Sequence, residues 1–131
     1  MSKLKSPPVR AQKSVAKVRD TASLKVRDTL AEFSITPLGA PPSPTGGVSN
    51  FVAHITRGIR ASGLDNELHS MGTIIEGTLE ECLDLIKQSI EATLAAGAPR
   101  ASVAIKMDVR PGHTGRIRGK VESVQKKLAQ K

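Results

Sequence analysis

Few groups in this 131-residue chain could do chemistry: three histidines, one cysteine and twelve Asp and Glu side chains. His54, His69 and His113 are too scattered for a metal triad to be read from their spacing, and each reads as an ordinary surface or packed histidine. Cys82 falls on an apolar helical stripe, where a thiol packs rather than reacts, because a nucleophilic thiolate needs access and a lowered pKa. One cysteine also excludes an internal disulfide and a multi-cysteine metal site. There is no HExxH, no Gly-rich phosphate loop between a strand and a helix, and no nucleophile flanked by a base and its orienter. No catalytic residue, metal or cofactor is expected, and binding is favoured over catalysis.

Elements must place whatever polar groups do bind. The stretch ELHSMGTIIEG, 67–77, reads as a hairpin reversed at Met71-Gly72, with Leu68 directed inward and Glu67 and His69 sharing the opposite face. Thr78 follows as an N-cap with Glu81 three residues on, a capping box that opens a helix from about Leu79 to Ala96. Leu79, Cys82, Leu83, Ile86 and Ile90 fall on one side of it, and Gly97 lies just past its end. Upstream, Ala31, Phe33 and Ile35 alternate with Glu32, Ser34 and Thr36, a strand that Pro37 ends. The loop LGAPPSPTGG, 38–47, reads as a mobile insertion, with a lid over a site as the alternative. Ser49 caps a second helix carrying Val48, Phe51, Val52, Ile55 and Ile59 at helical spacing, closed by Ser62-Gly63 and leaving His54 and Arg57 on a solvated face. ASVAIKMDV, 101–109, alternates as the longest strand. After RPGHTGRIRG, Val121, Val124 and Leu128 mark a terminal helix with Lys126, Lys127 and Lys131 near its C-terminus.

The net charge of +8 is unevenly spread. Residues 1–28 hold eight Lys and Arg against two Asp, or 8 − 2 = +6, and the other 103 residues therefore carry only 8 − 6 = +2. This polar segment carries the breaker pair Pro7-Pro8 and KVRDT twice, and it cannot bury enough apolar area to offset its ordering entropy. It is expected to be a disordered extension to a domain spanning 29–131; a transit peptide or a nucleic-acid arm are the alternatives. With Phe33 and Phe51 the only aromatics, base stacking on RNA is disfavoured. No apolar run is long enough to span a membrane, and a reducing cytoplasm is the expected compartment.

The order strand, helix, strand, strand, helix, strand predicts an α+β, ferredoxin-like two-layer sandwich (βαββαβ) with an extra C-terminal helix. Its helices should cover one sheet face and leave the other open. By strand parity that open face carries Glu32, Ser34, Thr36, Glu67, His69, Ile74, Glu76, Ser102, Lys106 and Asp108, polar but not uniformly charged. Pairing with a second copy, as a homodimer or homotetramer, would bury much of it.

LAEFSITPLG at 30–39, SGLDNELHSMGTIIEG at 62–77, GAPRASVAIKMD at 97–108 and GKVESVQKKL at 119–128 together resemble the small thiamine-binding-protein family related to YkoF. The resemblance implies a ferredoxin-like fold, assembly through the sheets, and binding of thiamine or its hydroxymethylpyrimidine portion without converting it. It directs interest to Ser34, Thr36, His69, Met71, Gly72, Thr73, Glu76, Lys106 and Asp108. In chemical terms Glu76 could offset the cationic thiazolium or accept from the exocyclic amine. Ser34, Thr36 and Thr73 could supply directional hydrogen bonds, and the Met71 thioether could pack on a ring. Lys106 suits a cation poorly, unless it is paired or meets the phosphate of a thiamine phosphate. The chain departs from the family in its basic extension, in the APPSPTGG enlargement of the first loop, and in Phe51 where many relatives have Tyr. An oligomerisation module without a small-molecule ligand is the alternative reading.

Overall fold

The computed structural model describes residues 25–39 and 47–130. Expectations for residues 1–24 and for 40–46 of the long loop lie outside the described residues.

Strand β1 (Thr29–Leu38) runs through the middle of the molecule. Its alternation buries Ala31, Phe33 and Ile35 on one side and turns Glu32, Ser34 and Thr36 to the other. β1 pairs with β3 (Gly72–Gly77) on one edge and with β4 (Arg100–Val109) on the other, while β2 (Asp65–His69) flanks β3. The four-stranded antiparallel sheet thus has the order β2-β3-β1-β4, which is the ferredoxin-like arrangement. Helices α1 (Ser49–Ala61) and α2 (Leu79–Ala95) pack on one face, where Ile55, Ile59, Cys82, Leu85 and Ile86 meet Ala31, Phe33, Ile35 and Ile75 in a single core.

Register explains which residues share a face, since directly paired residues project together. Ala31 opposite Ile75, both fully buried, lies beneath the helices, as does Phe33 opposite Thr73. Leu30 opposite Glu76 and Glu32 opposite Ile74 lie on the outer face. Helix α3 (Arg116–Leu128) docks on that outer face beside β3, where Leu30, Glu76 and Ile117 are buried. The expectation of a fully open second face is therefore corrected: its Leu30–Glu76 end is covered by the chain's own C-terminal helix.

Local details differ from the sequence reading in instructive ways. β1 continues past Pro37 to Leu38, because from Ser34 onward it is paired with β4 alone and a missing N–H is tolerated at such an edge. The hairpin turns at Ser70-Met71, one residue earlier than expected. Gly72 already belongs to β3, and its conformation is not left-handed. Ser49 is the first helical residue of α1 rather than its cap; Val48 holds the cap position without a side-chain hydrogen bond. In α2 the buried stripe is Cys82, Leu85, Ile86, Ser89 and Thr93, whereas Leu83, assigned to the apolar side, is 49% exposed. Ser89 and Thr93 enter the core because each hydroxyl donates to the carbonyl four residues back, at 2.8 and 2.9 Å. The Thr78–Glu81 capping box forms as expected, with both bonds at 3.0 Å.

Candidate functional site

A cavity of about 320 Å³ opens between the first half of α1 and the end of the sheet at the β2–β3 turn. Its apolar walls come from Phe33 and Ile35 of β1, from Val48, Val52 and Ile55, and from Leu68, which points to the helix side but stays 46% exposed at the opening. The polar residues that border it are Thr56, Ser70 and Thr73, together with Ser34, Thr36 and His69, whose side chains turn towards the outer face of the sheet. Thr56 is already committed, since its hydroxyl donates to the Val52 carbonyl at 2.7 Å. At the rim, His69 Nδ1 accepts from the Met71 N–H at 3.4 Å, and its Nε2 lies 3.8 Å from Glu32 Oε2. Met71 itself is 82% exposed at the tip of the turn.

The sheet shapes this cavity through a length mismatch. β3 ends its pairing at Phe33, so among the described residues no strand lies beside the edge of β1 that faced β3 from Ser34 to Leu38. Alternate residues of a strand turn their N–H and C=O to the same edge. The cavity sits against this stretch and so meets main-chain donors and acceptors as well as side chains. Gly72 permits the approach: a Cβ there would stand 2.7 Å from the Phe33 carbonyl oxygen.

Of the nine residues singled out from sequence, Ser34, Thr36, His69, Met71, Gly72 and Thr73 border this one cavity. Glu76, Lys106 and Asp108 do not. Glu76 is 5% exposed, and its Oε2 accepts from the Arg116 N–H at 2.8 Å, capping α3. Asp108 Oδ2 accepts from Arg116 Nη1 at 2.8 Å and from Lys120 Nζ at 2.9 Å. Lys120 and then Arg116 hold the Asp108 carboxyl below the usual carboxylate range. Lys106 is exposed on the outer face opposite Glu32. The residues missed are the α1 wall with Thr56, and Phe33, Ile35, Leu68 and Ser70. The helical stripe Val48, Val52, Ile55 was legible in the sequence, but nothing marked it as a wall rather than core.

The Cys82 thiol is fully buried with Sγ 3.6 Å from the Thr29 carbonyl, and burial pushes its pKa up to about 11. Among the described residues no group of three His, Cys, Asp or Glu is placed to hold a metal ion. No helix there is long and apolar enough to cross a membrane.

The model of the family described as thiamine-binding protein matches residues 31–125. The chain belongs to the thiamine-binding protein family. A UPF0045 protein of Mycobacterium bovis is 42% identical over 100 residues, which is 76% of this chain and 93% of that protein. Among solved structures, a Methanocaldococcus jannaschii hypothetical protein matches at 30% identity with TM-score 0.66, covering 76% of this chain and 98% of its own. A Thermotoga maritima protein, provisionally assigned to thiamine biosynthesis or salvage, shares the fold at 20% identity and TM-score 0.62 over 73% of this chain and 97% of its own.

Proposed function

We propose that this chain binds thiamine or its hydroxymethylpyrimidine portion in the cavity between α1 and the hairpin, without converting it, as a homo-oligomer. The observation that carries the reading is the gathering of Ser34, Thr36, His69, Gly72 and Thr73 around one apolar cavity in a member of the thiamine-binding family. The provisional assignment of a Thermotoga maritima fold neighbour to thiamine biosynthesis or salvage agrees with it.

The cavity favours the neutral half of the vitamin. Its walls are apolar and none of the described residues lining it is a carboxylate, Glu32 lying beyond the rim against His69. The two carboxylates that sequence reasoning offered to the thiazolium, Glu76 and Asp108, are engaged by α3. The loop 38–47 contains no Asp or Glu either. A planar aminopyrimidine, with donors and acceptors along one edge, suits apolar walls beside the Thr73 hydroxyl and the edge of β1 beyond Phe33. The cationic thiazolium then stays in solvent, where it keeps its hydration.

Titration calorimetry decides this. Hydroxymethylpyrimidine and thiamine are expected to bind with affinities within about threefold of each other and tighter than about 1 mM. Thr73→Val, which removes one buried hydroxyl, should weaken both about 3- to 10-fold. Glu76→Gln should leave them within about threefold, because that carboxylate serves α3. Thiamine binding more than about tenfold tighter than the pyrimidine would show that the cation is read. Absence of binding by either compound would favour a module that only oligomerises.

A further inference from the structure

The main-chain pattern of the sheet singles out one residue of the cavity wall. β2 and β3 are joined by the two-residue turn Ser70-Met71, and His69 pairs with Gly72 across it. A pair that closes so short a turn exchanges both of its N–H···O=C bonds, and successive residues then turn their N–H and C=O to opposite edges. Gly72, Ile74 and Glu76 therefore bond to β2, while Thr73, Ile75 and Gly77 turn to β1, where they meet Phe33, Ala31 and Thr29. The Phe33 carbonyl oxygen stands accordingly at the β3 edge, 2.7 Å from where a Cβ on Gly72 would lie.

The period of two carries the same orientation to Ile35 and Pro37. There β3 no longer runs alongside, and Ser34, Thr36 and Leu38 turn their main-chain groups to β4 instead. Pro37 has no N–H, so Ile35 supplies the main-chain donor of this edge between Phe33 and Leu38, with its own C=O on the same side. Ile35 lines the cavity and is only 8% exposed, and among the described residues no strand, turn or side chain bonds to either group. A donor and an acceptor left together in so buried a place call for a partner.

We infer that Ile35 reads the ligand through its main chain: its N–H donates to the ring nitrogen beside the amine-bearing carbon of the aminopyrimidine, and its C=O accepts from the exocyclic amine. This rests on the proposed binding of thiamine or its pyrimidine portion. That edge of the ring sets an acceptor next to a donor, the same complement that Thr73 offers to Phe33 two residues earlier, so the ring continues the ladder where β3 stops. The 4-oxo analogue reverses the edge, setting N–H against N–H and C=O against C=O, and leaves both groups of Ile35 unpaired.

Hydrogen exchange of the full chain, followed by NMR, tests the inference first without ligand. The Ile35 amide should exchange at least about tenfold faster than those of Ala31 and Phe33, and saturating hydroxymethylpyrimidine should slow it at least about tenfold more than it slows Ala31. Titration calorimetry then reads the ring. Carbon in place of the nitrogen beside the amine-bearing carbon, or oxygen in place of the amine, should weaken binding at least about tenfold, whereas carbon in place of the other ring nitrogen should stay within about threefold. An Ile35 amide as protected as that of Phe33 in the free protein, or full affinity for either altered edge, would overturn the inference and leave the binding of the vitamin standing. Absence of binding by both hydroxymethylpyrimidine and thiamine would remove the two together.

Discussion

Gly72 shows how much one residue type can encode at once. It begins β3, lines the cavity, and lies so close to β1 that any Cβ would stand 2.7 Å from the Phe33 carbonyl oxygen and 3.6 Å from the Ser34 Cβ. The obstacle is backbone, which cannot swing aside as a flexible side chain would. Gly72→Ala should therefore cost about 1–3 kcal/mol as the strands are pushed apart. For a domain of this size that is a fall in melting temperature of roughly 5–15 °C, measurable by scanning calorimetry. An unchanged melting temperature would mean that the strands separate freely at this point. From sequence the glycine was read as part of the turn, because close approach of two backbones leaves no periodic signal.

At the scale of elements, α2 is the best-specified helix, and its start can be tested directly. The Thr78 side chain accepts from the Glu81 N–H and the Glu81 carboxylate accepts from the Thr78 N–H, while Arg27 adds a fork to the same carboxylate at 3.1 and 2.9 Å. Thr78→Ala should cost about 1 kcal/mol. Arg27→Ala should cost less, because that pair is 56% and 32% exposed and water screens it. Urea denaturation of the two variants checks the order, and a larger loss for Arg27→Ala would contradict it. Capping was legible because its signature is local, and so was the alternation that placed Ala31, Phe33 and Ile75 inside. The burial of Ser89 and Thr93 was not, since hydroxyls that bond back to their own helix carry no apolar signal. The same limit applied to the site. Ser34, Thr36, His69 and Thr73 were singled out through the family resemblance and border one cavity, while strand parity pointed the first three to the open face; the fate of Glu76 and Asp108 depended on where α3 docks, a tertiary fact no spacing reveals.

Across the whole molecule, Arg116 ties the start of β1 to the end of β4. Its guanidinium donates to the carbonyls of Asp28 and Asp108 at 2.7 and 2.8 Å and to the Asp108 carboxylate at 2.8 Å, while its own N–H is held by Glu76. Asp28 closes the arrangement from the other side, its carboxylate accepting from the Gly112 N–H at 3.0 Å. The start of β1, the end of β4 and the root of α3 thus share one polar knot, and its charge makes it sensitive to acid. Lys120 and Arg116 depress the pKa of Asp108 in the folded state, and Arg27 first among several partners depresses that of Glu81. A carboxyl depressed on folding stabilises the protein above its unfolded pKa, about 3.9 for Asp, and that contribution fades as pH falls through the folded value. Melting temperature should accordingly drop as pH is lowered below about 4. Asp108→Asn should melt a few degrees below the unmodified protein at pH 7, where the charge is present, and the two curves should draw together as pH falls below about 4 and the carboxyl protonates. Parallel curves over that range would show that the Asp108 charge does not hold α3, leaving the carbonyl contacts of Arg116 and the cap by Glu76 to fix the helix.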